Sequence, residues 1–459
     1  MTALPFAAML AEIWSAADGA PAALERVRMT GEGSLPSVFA VTDLASASVA
    51  AAGLAVSEWL AANARPPAPV AVDRRLASFW FATSLRPQGW SPPPPWDPVA
   101  GDYAAADGWI RLHTNAPHHR RAALAVLGVE GEKAKVAAAV AGWPADALES
   151  AIVSAGGCAA AMRSLADWRA HAQGRSVAAE PLLATTATES GVQTPRTVNS
   201  ARPLAGIRVL DLTRVLAGPV ATRFLAGYGA EVLRIDPPDW SEPAIEPEMM
   251  AGKRSARLDL RQAADRAVLL DLLRQSDVVV HGYRSDALER LGLGAEVRRR
   301  TRPGLVDVSL DAYGWSGPWQ ARRGFDSLVQ MSAGIAQAGM ERLGRDRPTP
   351  LPVQALDHAT GYILAAAAVM GLVRRRTSGG GVASRASLAR TAVLLARHPA
   401  PGDGPLRPED QDDVAPAAEA TPWGPAFRLN APLSVTGAPC FWSRPAAPIG
   451  SDPARWQDG

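Results

Sequence analysis

"IRVLDLTRVLAGPVATRFLAGYGAEVLRID", residues 207–236, decides the fold. Its opening "IRVLDL" (207–212) reads as a buried strand, "GPVATRFLAGYG" (218–229) as a short helix begun by Pro219, and "AEVLRID" (230–236) as a second strand. A strand, a crossover helix and a strand running the same way make a βαβ unit. The rhythm continues downstream: "DRAVLLDLLRQS" is followed by the strand-like "DVVVHGY", and "RPGLVDVSLDAYG" supplies a fourth strand. Such alternation predicts an α/β fold, an open, mostly parallel, Rossmann-like sheet with helices on both faces.

Upstream, the pattern changes. In "GDYAAADGWIRLHTN" (101–115) an Asp107-Gly108 pair separates two strand-like runs, the usual hairpin signal. The helical segments "HHRRAALAVLG", "EKAKVAAAVAGW", "PADALESAIVSAGG" and "CAAAMRSLADWRAHAQG" follow, so 95–183 reads as a smaller α+β domain. Two stretches without apolar period, 184–203 and 397–422, read as linkers, the second flexible. They bound a catalytic domain at 204–396 and leave a C-terminal segment at 423–459. Residues 1–94 carry an internal echo: "TDLASASVAAAGLAVSEWL" (42–60) aligns without gaps on "LDHATGYILAAAAVMGLVR" (356–374), placing Asp43 over Asp357. Each copy has a second helix about thirty residues on ("RRLASFWFA" and "ASLARTAVLLA"), which marks a duplicated element.

Composition excludes several classes of partner. The net charge of the 459-residue chain is +2, with both signs interspersed, which argues against nucleic acid. The two cysteines, Cys158 and Cys440, have no CxxC spacing and no histidine cluster beside them, so neither a disulfide framework nor a metal site is expected, and a cytoplasmic location fits. The start of the chain lacks a basic signal-like segment, and the apolar run Tyr362–Val373 is too short for a bilayer, so no membrane partner is expected.

Three stretches carry candidate chemistry. In "LTRVLAGP" (212–219) a strand gives way to a helix N-terminus, a natural anion seat, but a single Gly218 there falls short of a dinucleotide fingerprint. Asp357 sits inside the otherwise apolar "LPVQALDHATGYILAAAAVMGLV" (351–373). It could cap the helix, act as a nucleophile, or both, since a carboxylate at a helix N-terminus is favoured in its ionised form. The third, "DAYGWSGPW" (311–319), is a glycine-rich aromatic loop at the carboxyl end of a strand, where ligands of open α/β sheets bind.

In their order, "LAGIRVLDLTRVLAGPVATRFLAGYGAEVLRID", "GKRSARLDLR", "DVVVHGYRSDALERLGLG", "VSLDAYGWSGPW", "FDSLVQMSAGI" and "LDHATGYILAAAAVMGLVRRRTSGGG" closely resemble the class III CoA-transferase (CaiB/BaiF) family, in register from about 204 to 395. The family usually places its CoA-binding part first and inserts the small domain afterwards. Here the small domain comes first, a permuted order that looks like a fused, truncated tandem. By resemblance, Asp357 matches the aspartate nucleophile and Tyr313 lies in the active-site loop. Arg214, Val215 and Ala217 match the loop that holds coenzyme A, and Lys253, Arg254, Tyr283 and Arg290 match positions near its nucleotide and phosphates. The resemblance implies an acyl-CoA and a carboxylic acid as substrates, a covalent aspartyl-CoA intermediate, and an interlocked homodimer or, given the echo, a pseudo-dimeric monomer. Two alternatives stand beside it. A racemase of the same superfamily pairs the aspartate with a Gly-His-Asp histidine, but the triplet here is Gly324-Phe325-Asp326, and phenylalanine carries no proton. A non-catalytic CoA-binding subunit gains weight from the rearrangement, from Asp311, where the family more often has a neutral or basic residue, and from the missing glycine-rich lid.

Overall fold

The computed structural model describes residues 5–191, 198–284 and 286–457. Its largest sheet has seven strands, numbered here in chain order: β1 (Ala184–Ser190), β2 (Arg208–Leu212), β3 (Glu231–Asp236), β4 (Lys253–Arg257), β5 (Val278–His281), β6 (Val306–Asp311) and β7 (Gly380–Ser387). They lie in the order β4-β3-β2-β5-β6-β7-β1, parallel except for β1, which runs antiparallel along β7. The central strands are apolar runs buried along their length, as a sheet covered on both faces requires. From β2 the chain winds one way through β3 and β4, then the other way through β5, β6 and β7. The carboxyl ends of β2 and β5 therefore meet at the point where strand order reverses, where such sheets bind ligands.

Two strands were not visible in the pattern, and one corrects an expectation. Residues 184–190, read as part of a linker, are β1. Its thin alternation of Thr and Ala forms an edge strand whose exposed side carries no apolar signal, and Thr185 meets Ser384 across the pair at 3.3 Å. Part of that supposed linker, 192–197, lies outside the described residues. β4, "KRSAR", is polar by composition but buried through its first four residues against β3. The second expected linker, 397–422, is tied down at several points: Asp413 forms a bidentate pair with buried Arg75, and the His398 carbonyl accepts the Ala40 N–H at 3.0 Å.

Six helices position the site: α1 (Val41–Ala62), α2 (Arg74–Trp80), α3 (Ala217–Gly227), α4 (Asp326–Ser332), α5 (Ala355–Ser378) and α6 (Leu388–Ala396). α1 and α5 pack along one another, and α5 also lies against α3. At the second contact a Cβ on Gly361 would stand 2.5 Å from the Ala217 carbonyl oxygen, so only glycine permits the approach. With 22 and 24 residues and a mean hydropathy of 1.4, α1 and α5 are each long and apolar enough to cross a membrane by length and composition, which corrects the expectation drawn from Tyr362–Val373. In this fold 89% of each apolar window is buried within the protein, which accounts for the composition without a bilayer.

The smaller unit is built on the expected hairpin, Gly101–Ala104 with Trp109–Leu112, to which Ala159–Ala161 adds a third strand. Three helices cover one face around Val99, Ile110 and Leu148. Its other side packs Cys158 and Ala160 against Leu328 and Met331 of α4, which sets it over the carboxyl ends of the large sheet. The C-terminal segment pairs with the N-terminal region: Leu433–Val435 lies antiparallel on Val70–Asp73, and Gly424–Arg428 on Leu85–Pro87.

Candidate active site

A cleft of about 360 Å³ opens at the carboxyl ends of β2, β5 and β6. Its floor is the β2–α3 turn. Asp211, wholly buried at the end of β2, accepts hydrogen bonds from the Thr213 N–H at 2.9 Å and from the Thr213 and Thr222 hydroxyls, both at 2.5 Å. That anchor ties the turn to the helix that follows it. Val215 adopts φ 65°, a region a β-branched side chain enters only under constraint, and its N–H donates to Glu242 at 2.6 Å. Arg214 lies between the Trp240 and Tyr283 rings, 4.9 and 5.1 Å from their centroids, and donates to the Tyr283 hydroxyl at 2.9 Å. Arg214, Val215, Ala217, Tyr283 and Asp357, all singled out in the sequence, thus share one cleft.

Asp357 is 5% exposed, three residues into α5. It does not cap that helix, which corrects one of its sequence readings. The capping is done by Asp326, whose carboxylate accepts the Leu356 and Asp357 N–H groups at 2.9 and 3.0 Å and is itself held by the Gln330 amide. Burial pushes the Asp357 carboxyl well above the ordinary range, and the neighbouring Asp326 charge pushes it further. Asp326 is raised to about 6 by burial, while its N–H donors pull the other way. Both influences favour the protonated form of Asp357 over the ionised form that the sequence reading expected.

Four other expected residues lie elsewhere. Lys253 is fully buried beneath α3, bonded to Asp211 at 3.1 Å and to the Pro219 carbonyl at 3.0 Å; burial brings its pKa down to about 8. Its ammonium supports the turn from below and is not presented to a ligand. Arg254 faces the C-terminal segment, donating to the Arg455 carbonyl at 2.8 Å with Asp452 at 3.5 Å. Arg290, 69% exposed in its side chain, pairs with Asp286 outside the cleft. Tyr313 sits behind the cleft wall at 1% exposure, its hydroxyl 3.1 Å from that of Ser332. The loop it belongs to is fixed from the small unit's side. Gln173 donates to the Tyr313 and Ser316 carbonyls, each at 2.8 Å, and Glu180 accepts the Trp315 and Ser316 N–H groups, each at 2.9 Å.

The cleft also gathers residues that the sequence reading did not assign to a site. Arg284 and Arg323 face it, as do His118 and His119 from the small unit. Phe325 lines it with its ring flat on His113, centroids 3.7 Å apart, and edge-on to His119. Asp311, lining the same space, is pushed up to about 8 by burial, with one oxygen unpartnered. Signals for some of these were present: Arg284 adjoins Tyr283, and Asp326 closes the Gly324-Phe325-Asp326 triplet. The meeting of His119 with Phe325 across some two hundred residues had none.

The sequence profile of CoA-transferase family III matches residues 204–413. An acetyl-coenzyme A transferase, nodX, of Hypoxylon pulicicidum is 37% identical over 185 residues, 39% of this chain and 31% of that protein. An acyl-CoA transferase of Fusarium pseudograminearum is 33% identical over 213 residues, 42% of this chain and 46% of its own length. A crystal structure of Rv3272 from Mycobacterium tuberculosis aligns at 34% identity over 43% of this chain and 57% of that one, with a TM-score of 0.40. The chain spans less than half the length of the two curated relatives. The segment that matches CoA-transferase family III, 204–413, is the part that carries the floor of the cleft, the nearby loops and Asp357.

Proposed function

We propose that this chain transfers coenzyme A between an acyl-CoA thioester and a carboxylic acid, with Asp357 as the nucleophile. One observation carries the reading: a buried carboxyl, free of the capping duty that its position suggests, faces a cleft floored by the β2–α3 turn and walled by arginines. An Asp357 oxygen attacks the thioester carbon, and the C–S bond breaks to give an acyl-aspartyl anhydride and CoA thiolate. The thiolate then attacks the aspartyl carbonyl, releasing the first acid and leaving an aspartyl-CoA thioester. The acceptor carboxylate attacks that thioester, breaking its C–S bond to release CoA thiolate and form a second anhydride. Thiolate attack on the acceptor's own carbonyl yields the new acyl-CoA and restores Asp357.

The proton on Asp357 must leave before the first attack. Asp326 supplies order here, holding the two N–H groups that open α5 and so fixing the nucleophile's backbone. Burial also serves the anhydride, which water would destroy. The pairing of α1 with α5 in one chain supports the pseudo-dimeric form, and the free thiols Cys158 and Cys440 support a reducing, cytoplasmic setting. The test is intact-protein and peptide mass spectrometry after incubation with a panel of acyl-CoAs. A CoA-sized adduct on the peptide containing Asp357 is expected; CoA exchange without any adduct would overturn the covalent route, and binding without exchange would favour a non-catalytic CoA-binding subunit.

A second reading, proton exchange at the acyl α-carbon, is favoured by His119 lining the cleft that Asp357 faces, although Phe325 replaces the histidine of the racemase triplet. Deuterium uptake from heavy water into a 2-methylacyl-CoA would support it.

A further inference from the structure

A separate cavity, of about 200 Å³, lies between α5, the outer strands β7 and β1, and the turn that ends helix Pro5–Ala16. It sits toward the other end of α5 from Asp357: Arg374, at its rim, is about 25 Å farther along the helix axis. The inner wall is apolar, made by buried Leu183, Ala367 and Val382 with half-buried Met370, whose flexible thioether adapts to what lies against it. On the sheet side, the hydroxyls of Thr185 and Ser384 stand 3.3 Å apart and bond each other. An alkyl chain packed there would strand no buried hydrogen bond.

The rim is charged. Arg374 and Asp18 pair across it with side chains 36% and 55% exposed, so solvent screens the pair and it holds weakly. Neither has another side-chain partner among the described residues, and Asp18 uses one of the five N–H donors of the guanidinium. Asp18 also adopts φ 57°, a left-handed conformation that an aspartate enters at some cost. It gives Arg374 what the head of a small carboxylic acid would give, with no chain to fill the space behind. An apolar cavity of about 150 Å³ holds a benzene molecule, so this one has room for an alkyl chain of about six carbons.

We propose that this cavity binds a short-chain monocarboxylic acid, its alkyl chain between α5 and the β7–β1 edge and its carboxylate on Arg374 in place of Asp18. A second carboxylate on the ligand would be buried unpaired against Leu183 and Val382, which selects against diacids. The site does not depend on the CoA-transferase reading, since none of its residues lines the cleft.

The test is isothermal titration of the full chain with hexanoate, acetate and 1-hexanol, with melting temperature as the check on folding. Hexanoate is expected to bind at millimolar concentration. Acetate, which has the charge without the chain, and hexanol, which has the chain without the charge, should each bind about tenfold or more weakly. Arg374→Gln should weaken hexanoate about tenfold and leave hexanol unchanged. Ala367→Met, which fills the cavity, should weaken both about tenfold, and Asp18→Asn, which removes the competing carboxylate, should tighten hexanoate about threefold. Where Arg374→Gln melts early, Arg374→Lys keeps the charge and is expected to retain part of the affinity. Hexanoate binding that neither Arg374→Gln nor Ala367→Met changes belongs to another site, the cleft included, and would overturn the proposal, as would the lack of saturable binding at millimolar hexanoate. Binding weakened by Ala367→Met and untouched by Arg374→Gln, or equal for hexanoate and hexanol, would overturn the assignment of an acid.

Discussion

The two Asp-bearing helices begin alike and end in opposite circumstances. The residue before α1, Ala40, has φ −74° and ψ 61°, and its counterpart before α5, Gln354, has φ −76° and ψ 64°. The next N–H in each case folds back on a carbonyl two residues earlier, Val41 to Phe39 and Ala355 to Val353, both at 2.8 Å. Asp43 and Asp357 then occupy the same place in the first turn. The register that aligns them also sets Arg74, first residue of α2, over Leu388, first residue of α6. Arg74 stands 3.6 Å from Asp43 and 2.9 Å from Asp403, sealing that carboxylate under a cation. Leu388 instead lines the cleft that Asp357 faces. The two environments differ at this position: a guanidinium faces one carboxylate and offsets part of the upward push of burial, whereas the other has an apolar side chain there, no ion pair among the described residues, and Asp326 beside it. A copied backbone is not a copied site.

The sharpest way to break this comparison is a pair of substitutions. Asp357→Asn is expected to lower CoA-transfer turnover on the order of a thousandfold or more, since an amide is no useful nucleophile, while CoA affinity stays near the wild-type value. Asp43→Asn should leave turnover within about twofold. Equal losses in a steady-state assay would show both carboxylates serving one reaction.

Next in size is Leu388→Arg, which recreates the sealed copy beside the open one. A cation there would draw Asp357 into an ion pair and fill cleft volume, so turnover should fall about tenfold or more while the chain stays folded. Turnover at the wild-type level would mean that the difference between Arg74 and Leu388 is incidental.

The reverse change, Arg74→Leu, strands Asp43 and loosens Asp403. Chemical denaturation should show a loss of about 1–3 kcal/mol, toward the lower end because Asp403 is partly exposed to solvent.

The smallest effect is in pH dependence. A carboxyl raised in the folded state binds its proton more tightly there than in the unfolded chain, so stability is lost as pH climbs from the ordinary carboxylate range, about 4, through the folded value. Asp357→Asn removes that loss. Its melting temperature should exceed that of the wild type at pH 8, and the gap should narrow toward pH 4; a gap that widens on acidification would refute the proton assignment. Turnover of the wild type should rise with pH over the same window, as Asp357 becomes ionised.

What the sequence by itself determined is local. The βαβ run, the hairpin at Asp107-Gly108 and the echo of Asp43 in Asp357 all follow from periodicities and turn residues within a few dozen positions, where backbone geometry and burial write directly into residue order. Position 357 stood out because a carboxylate inside an apolar run is costly unless the fold uses it. Tertiary structure decided whatever depends on distant neighbours. Lys253, Arg254 and Arg290 look alike as cations in a chain, yet one is spent on Asp211, one on the C-terminal segment and one on Asp286. The capping of α5 by Asp326, thirty-one residues before Asp357, could not be told from capping by Asp357 itself. Edge strand β1 gave no apolar signal, because its pairing rests on backbone hydrogen bonds that any residue but proline can make. Charge and hydrogen bonding act through space over a few ångströms, and only the folded chain says which groups come that close.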